Sequence, residues 1–444
     1  MSIHKKIFSM IFCLCLLGVM PSAVASLRTL IIDGGQIDGL PVAVVPFSVE
    51  GQDKSQIEDI ATVIQNDLQT SGQFKVLSNQ NIRQFPKSHI EVQYPYWQSL
   101  KIEDLVVGSV QKNGSLFTVS FELLDVLKQK SGEGKIPPLL SMRFDNIQAK
   151  DLRALAHHIS DLIFQKIIGT QGIFSTRIAY VTVKETNQGL IRSLEVSDYD
   201  GYGPKTLFQS RYPLMSPNWS PDGKKIAFVS FEKERSSINT VEVSTGRIDR
   251  ITQFPGLNSA PAWSPDGRKL AAVLSKDVGP KIYIIDLASK KLNQLTTGPG
   301  IDTEPFWASD GRSIVFTSDR GGKPQIYRVA LNSGHVERLT FAGTYNAKPS
   351  LTPDGKNLIT LHRNEEGLFN IALHNLTNGA VRVLTQTGLN DSPTLAPNGM
   401  MVLYGAQEAG EGILSAVTLD GRLKLRLPAR AGSVQEPAWS PFNF

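Results

Sequence analysis

The chain has 444 residues, 46 Lys+Arg against 41 Asp+Glu, a formal net charge of +5 and two cysteines. That length accommodates two domains, and the ordinary aromatic and aliphatic content is that of a globular protein. The charges are scattered with no basic stripe, which argues against nucleic-acid binding.

The first 25 residues read as a cleaved export signal. His4, Lys5 and Lys6 precede an apolar run from Ile7 to Met20, and Ala23-Val24-Ala25 supplies a small-x-small cleavage site. The run is short for a membrane span, and no later stretch approaches spanning length. Cleavage is expected after Ala25, leaving Ser26 as the first mature residue. Both cysteines, Cys13 and Cys15, fall inside the signal. The mature chain therefore has no disulfide, thiolate nucleophile or thiolate metal ligand to use. Neither Cys stands where lipid attachment needs it. Without Lys5 and Lys6 the balance is 44 basic to 41 acidic residues, a net of +3.

Residues 26–40 form a polar arm with a β-like core at Leu30-Ile31-Ile32, suited to adding as a strand to a partner. Residues 41–168 show no repeat and read as a small α/β domain. Pro41 to Phe47 is a strand, and Ser55 to Thr70 places Ile57, Ile60, Ala61, Ile64 and Leu68 on one helical face. Leu105–Val110 and Leu116–Val126 flank the hairpin signal Asn113-Gly114. Leu139 to Phe144 is a further strand. Asp151 can cap a helix striped by Leu152, Leu155, Ile159, Leu162 and Ile163 and stopped by Gly169. Gly169 to Gly172 is the domain boundary.

From residue 173 to 444 the sequence repeats. Prolines 217, 261, 305, 349, 393 and 437 are each 44 residues apart, and each opens a shared motif such as Pro261-Ala262-Trp263-Ser264-Pro265-Asp266-Gly267. Pro-Asp-Gly is turn chemistry. An alternating apolar run follows, as in Ile226 to Val229, then a polar loop, a third strand such as Ile282 to Leu287, a Ser/Thr-Gly turn, and a fourth strand ending in Leu295-Thr296 or Leu339-Thr340. Four short strands per repeat make one propeller blade. The sixth motif stops at Phe444 with no strands after it, whereas Ile173 to Tyr212 has strands two to four with no motif before them. The Trp439 segment should therefore supply the inner strand of the first blade and close a ring of six. Trp219, Trp263, Trp307 and Trp439, replaced by Leu351 and Leu395 elsewhere, read as packing between blades. Asp222, Asp266, Asp310 and Asp354 read as turn formers. The expected fold is an α/β N-terminal domain followed by an all-β six-bladed β-propeller closed by the C-terminal strand.

Catalytic signatures are missing. There is no Gly-x-Ser-x-Gly elbow, no His-Glu-x-x-His and no Walker-type phosphate loop. His157 and His158 are neighbours on a helix, point apart and cannot share a metal there. No catalytic residue, cofactor or metal ligand is assigned. The Pro-Asp-Gly turns lie on one face of the propeller, and the loops before each Pro on the other. The three residues before each Pro should line the channel mouth: Asn258, Ser259 and Ala260; Asp302, Thr303 and Glu304; Asn346 with Ala347 and Lys348; Asn390, Asp391 and Ser392; Val434, Gln435 and Glu436. Asn or Asp recurs at 258, 302, 346 and 390, which fits either a turn cap or a polar funnel receiving a loop or peptide. Asp302, Glu304, Asp391 and Glu436 could also hold calcium. A propeller hydrolase or lyase acting on glycans or peptides is the competing reading. The mouth residues named here contain neither His nor Arg, which disfavours it. Ring closure and polar loops predict a monomer.

Longer segments carry a family likeness. Thr176 to Val181, Val196 to Tyr202, Pro213 to Pro217, Asp420-Gly421-Arg422, Arg426 to Ala429 and, in the first domain, Pro41 to Phe47 with Val106-Val107-Gly108 resemble the TolB family, periplasmic propeller proteins of the Tol-Pal system. The likeness spans nearly all the mature chain. It implies a periplasmic protein that binds the lipoprotein Pal at the channel mouth, where Thr303 and Glu304 match the family's motif. Leu257 and Asn258 depart from that pattern. It also implies binding of TolA through the arm Ser26, Leu27, Arg28, Thr29, Leu30, Ile31, Ile32 and Asp33, and a role in outer-membrane integrity and division. Other outer-membrane or peptidoglycan-associated partners are compatible with it.

Overall fold

A computed structural model describes residues 30–31, 39–50, 58–129, 134, 136–187, 189–233, 235–277, 279–427 and 432–442. The segment read as an export signal, the expected cleavage site and most of the expected arm lie outside the described residues.

The N-terminal domain is one sheet with helices on both faces. Leu40–Val44 pairs in parallel with Phe74–Val76 on one side and with Asp104–Asn113 on the other. Leu116–Asp125 and Leu140–Gln148 continue the sheet antiparallel. Alternation along Val42-Ala43-Val44-Val45 feeds two cores. Val42 and Val44 face helices α1 (Ile60–Thr70) and α3 (Leu152–Ile168), while Ala43 and Val45 face α2 (Tyr94–Ser99) and the fully buried Trp97.

Local boundaries differ from the sequence reading in three places. Helix α1 begins at Ile60, where Asp59 caps it by accepting from the Thr62 N–H, and Ser55 and Ile57 lie outside the described residues. Asp151 precedes α3 but makes no side-chain cap; Gly169, at φ 85°, does end that helix. In the hairpin, Asn113 pairs with Leu116, so Gly114 and Ser115 form the turn and Asn113 belongs to the strand.

The second domain is a ring of six sheets. Blade 1 is built from Arg177–Thr186, Gly189–Asp198 and Lys205–Ser210, and Ser433–Trp439 adds as its inner strand, with Trp439 opposite Ile178. The ends of the array thus meet as the unequal motif count requires. A Thr after strand four staples each of blades 3, 4 and 5. Thr296, Thr340 and Thr385 accept from the N–H groups of Ile282, Ile326 and Ile371 at 2.9–3.0 Å. The Trp indoles link neighbours: Trp219 donates to the Ala438 carbonyl and Trp307 to the Ala262 carbonyl, both at 3.1 Å. The motif aspartates make turns as expected. Asp266 accepts from Ser264 at 2.6 Å and from the Arg268 N–H at 3.0 Å, which pulls its pKa down.

The two domains share one apolar core. Leu68, Phe164 and Phe174 pack in the same cluster as Met401 and Leu423 of blade 6 and Trp439 of blade 1. Asn398, in the blade 6 turn, donates to the Gln171 carbonyl at 3.2 Å, and Tyr199 of blade 1 donates to Asp67 of α1 at 2.8 Å. The N-terminal domain therefore sits on the Pro-Asp-Gly face, over the join between the last and first blades. Leu30–Ile31 runs antiparallel to Lys424–Leu427 as a fifth strand of blade 6, so that part of the arm pairs with its own propeller.

Candidate functional site: the channel mouth

Each inner strand carries the same distortion. The residue before the motif Pro is left-handed in all six blades: Ser216 (φ 50°), Ala260 (45°), Glu304 (53°), Lys348 (51°), Ser392 (48°) and Glu436 (53°). None is glycine, and a residue before Pro ordinarily avoids helical conformations, so each position costs about 1–2 kcal/mol of strain. The pairing with strand two slips at that point, between Ser259 and Ala262 in blade 3 and between Thr303 and Phe306 in blade 4. The bulge turns this one residue per blade towards the axis. All six line a channel of about 440 Å³ together with the motif prolines.

The ring they form is charged and cross-linked. Glu304 accepts from Thr317 at 2.7 Å and from the Lys348 backbone N–H of the next blade at 2.8 Å. Glu436 accepts from the Ser216 N–H of its own neighbour at 3.2 Å. The Lys348 ammonium reaches Ser392 at 2.6 Å, Asp391 at 2.9 Å and Glu436 at 3.6 Å. Burial pulls the Lys348 pKa down, but Glu436, Asp391 and Glu304 outweigh it and hold the amine charged. Burial raises the Glu304 carboxyl against the opposing pull of Lys348 and Thr317.

Several sequence-assigned mouth residues stand elsewhere. Asn258, Asp302, Asn346 and Asn390 are buried behind the channel wall and do not form a polar funnel. Asn258 holds the loop before it, accepting from the Phe254 N–H and donating to the Phe254 and Gly256 carbonyls. Asn390 donates to Thr385 at 3.0 Å and to the Phe369 carbonyl at 3.1 Å. Asp302 accepts from Ser318 at 2.6 Å and pairs with Arg320 at 2.9 Å and Lys281 at 3.3 Å. An arginine therefore does stand near the mouth, as the partner of a buried aspartate. The calcium arrangement is contradicted for the same reason. Asp302 is engaged behind the wall, and the Lys348 ammonium occupies the space between Asp391 and Glu436. Ser259, Ala260, Thr303 and Glu304 are half-buried at the rim, and Asp391 and Gln435 are exposed there.

Behind Asn346 lies a buried polar chain. Asn346 Oδ1 bonds His362 at 2.9 Å and Thr360 at 3.2 Å, and Thr360 bonds His374 at 3.0 Å. Burial, then the neighbouring His362, lowers the His374 pKa from 6.5 to about 4. A histidine held neutral when folded destabilises the fold as acid charges it in the unfolded chain. Stability is full above pH 6.5 and falls as pH drops towards 4, by about 3 kcal/mol. Chemical denaturation of wild type and His374→Gln at pH 7 and pH 4.5 should show the variant losing less between the two.

The rim also carries a feature the sequence reading missed. Five consecutive loops leading into inner strands each expose an apolar side chain: Tyr212 (43%), Phe254 (37%), Ile301 (48%), Phe341 (73%) and Leu389 (58%). They stand four to eight residues before the motif prolines, at no fixed offset, so the 44-residue period does not mark them. Together they surround the charged mouth, on the face opposite the N-terminal domain. Large apolar side chains left exposed beside a charged mouth are what a protein-binding surface offers a partner.

Comparison with known proteins agrees with this architecture. Residues 164–443 match the family model for the TolB beta propeller domain, and residues 28–131 match that for the TolB amino-terminal domain. The Tol-Pal system protein TolB of Coxiella burnetii is 57% identical over 92% of both chains. That of Nitrosococcus oceani is 53% identical over 98% of both. The crystal structure of TolB from Acinetobacter baumannii superposes with a TM-score of 0.84 at 38% identity, covering 94% of this chain and all of that one. The chain belongs to the TolB family of Tol-Pal system proteins.

Proposed function

We propose that the chain is a non-enzymatic periplasmic adaptor. Its channel mouth receives Pal, and its N-terminal arm binds TolA, in support of outer-membrane integrity and division. The observation that carries the reading is the apolar ring around the Lys348–Glu436 mouth. Five large side chains left in water cost about 25 cal/mol per Å² of apolar surface that a partner could cover. The charges within them set register and orientation for a polar loop entering the channel. Family membership supports the Tol-Pal setting.

Calorimetry of the mature protein with the soluble domain of Pal tests the proposal. Wild type should bind saturably. A Thr303→Arg, Glu304→Arg double variant and Phe341→Glu should each weaken binding by about thirtyfold or more, the loss of one interface hot spot. Loss in Phe341→Glu alone would move the contact from the channel wall to the rim. Absence of wild-type binding at high micromolar concentration would refute the Pal assignment and favour the competing reading of a hydrolase or lyase acting on glycans or peptides.

A further inference from the structure

We propose that the seam between the two domains contains a divalent transition-metal site formed by His157, Asp198 and Asp200. His157 lies on α3 and is 2% exposed. Its Nδ1 is bonded to the Asp67 carboxylate at 2.9 Å. Its Nε2 is buried and has no hydrogen-bond partner. Asp198 and Asp200 come from the blade 1 turn, and one ligand atom from each of the three residues lies within 4.8 Å of the others.

The gap is the informative quantity. Two atoms coordinated to one zinc-like ion at about 2.0–2.2 Å stand at most about 4 Å apart. The three ligand atoms lie within 4.8 Å of one another, near what a bridging ion needs, and His157 Nε2 makes no hydrogen bond. The Asp198 side chain is 38% exposed and has room to close the difference. A carboxylate on the far nitrogen of a ligating histidine fixes its ring and raises its basicity, and Asp67 stands in that position. The local charge also favours a cation. Glu58, Asp67, Asp198 and Asp200 outnumber the guanidinium groups of Arg153, which pairs with Glu58 at 2.8 Å and also with Asp200, and of Arg177, which interacts with Asp198. Arg153 Nε lies 3.5 Å from Asp198, and the Tyr202 ring covers the guanidinium at 4.0 Å. A nitrogen ligand with two carboxylates suits zinc or a similar borderline ion rather than calcium. Bound there, it would tie α3 to blade 1 with one coordination position left for water.

Mature protein cleared with a chelator and titrated calorimetrically with zinc should take up one ion per chain, and its melting temperature should rise. Cobalt in the same site should give visible absorption from nitrogen and oxygen ligands. His157→Gln and Asp198→Asn should each weaken uptake about tenfold or more, while Asp391→Asn at the channel mouth leaves it unchanged. Asp198 is partly exposed, so its variant should keep the wild-type circular dichroism. Zinc uptake that is absent, unchanged in both seam variants, or lost in Asp391→Asn would overturn the site.

Discussion

Deleting Ser433–Phe444 should abolish cooperative folding of the propeller and yield soluble aggregate or no soluble protein. The deletion removes the inner strand of blade 1, leaving Arg177–Thr186 with an unpaired edge along its length. It also removes Trp439, whose indole donates to Thr176 at 2.8 Å while the ring packs in one cluster with blade 6 and the N-terminal domain. Truncating such a Trp to Ala alone costs about 3–5 kcal/mol, a large part of a domain's 5–15 kcal/mol. Size-exclusion chromatography and circular dichroism of the truncated chain, beside Trp439→Ala, check the expectation. A monomeric truncation with wild-type β-signal would show that the ring does not need its closing strand.

Asp302→Ala should lower the unfolding free energy measured by urea denaturation by about 3–5 kcal/mol, the cost of leaving buried positive charge without its partner. Asp302 is fully buried, and the Lys281 side chain beside it is 7% exposed, with its ammonium also donating to the Gly300 carbonyl. Arg320, at 18% exposure, can turn towards water, so Lys281 bears most of the penalty. Asp302→Asn keeps the hydrogen-bonding shape and should fall between wild type and Ala. An Asp302→Leu, Lys281→Met double variant removes both charges and should recover much of the loss. If the single and double variants are equally unstable, the cost is one of packing and the ion pair is incidental.

These residues also show where sequence reading succeeds and where it stops. The ring of six and its closure were legible because the 44-residue period is a count, and the unequal ends of a count have one arrangement that leaves no open edge. The motif aspartates were legible because a turn is local: Asp266 meets Ser264 and Arg268 within two residues on either side. The mouth was legible only in part. Asn258, Asp302, Asn346 and Asn390 recur at a loop position that looks wet. What buries them is the fold of adjacent loops, whose carbonyls at Phe254, Gly256 and Ala342 close over the side chains. No single repeat records that closure. Nor does a period reveal that the bulge hands the axis to the third residue of each trio and withholds it from the first. The His157 cluster is less legible still, since its members come from two distant segments with no common motif.

The placement of the N-terminal domain gives the ring a mechanical meaning. A closed circle of blades is weakest where its two ends were joined, because that joint alone depends on a strand from the far end of the chain. Here the joint is overlaid by a second folded body that grips blade 6 through Gln171 and Met401 and blade 1 through Tyr199 and Trp439. The domain acts as a clasp. A load applied at the amino terminus first peels Leu30–Ile31 from blade 6 and then meets the clasp, and the joint can open only after the clasp has let go.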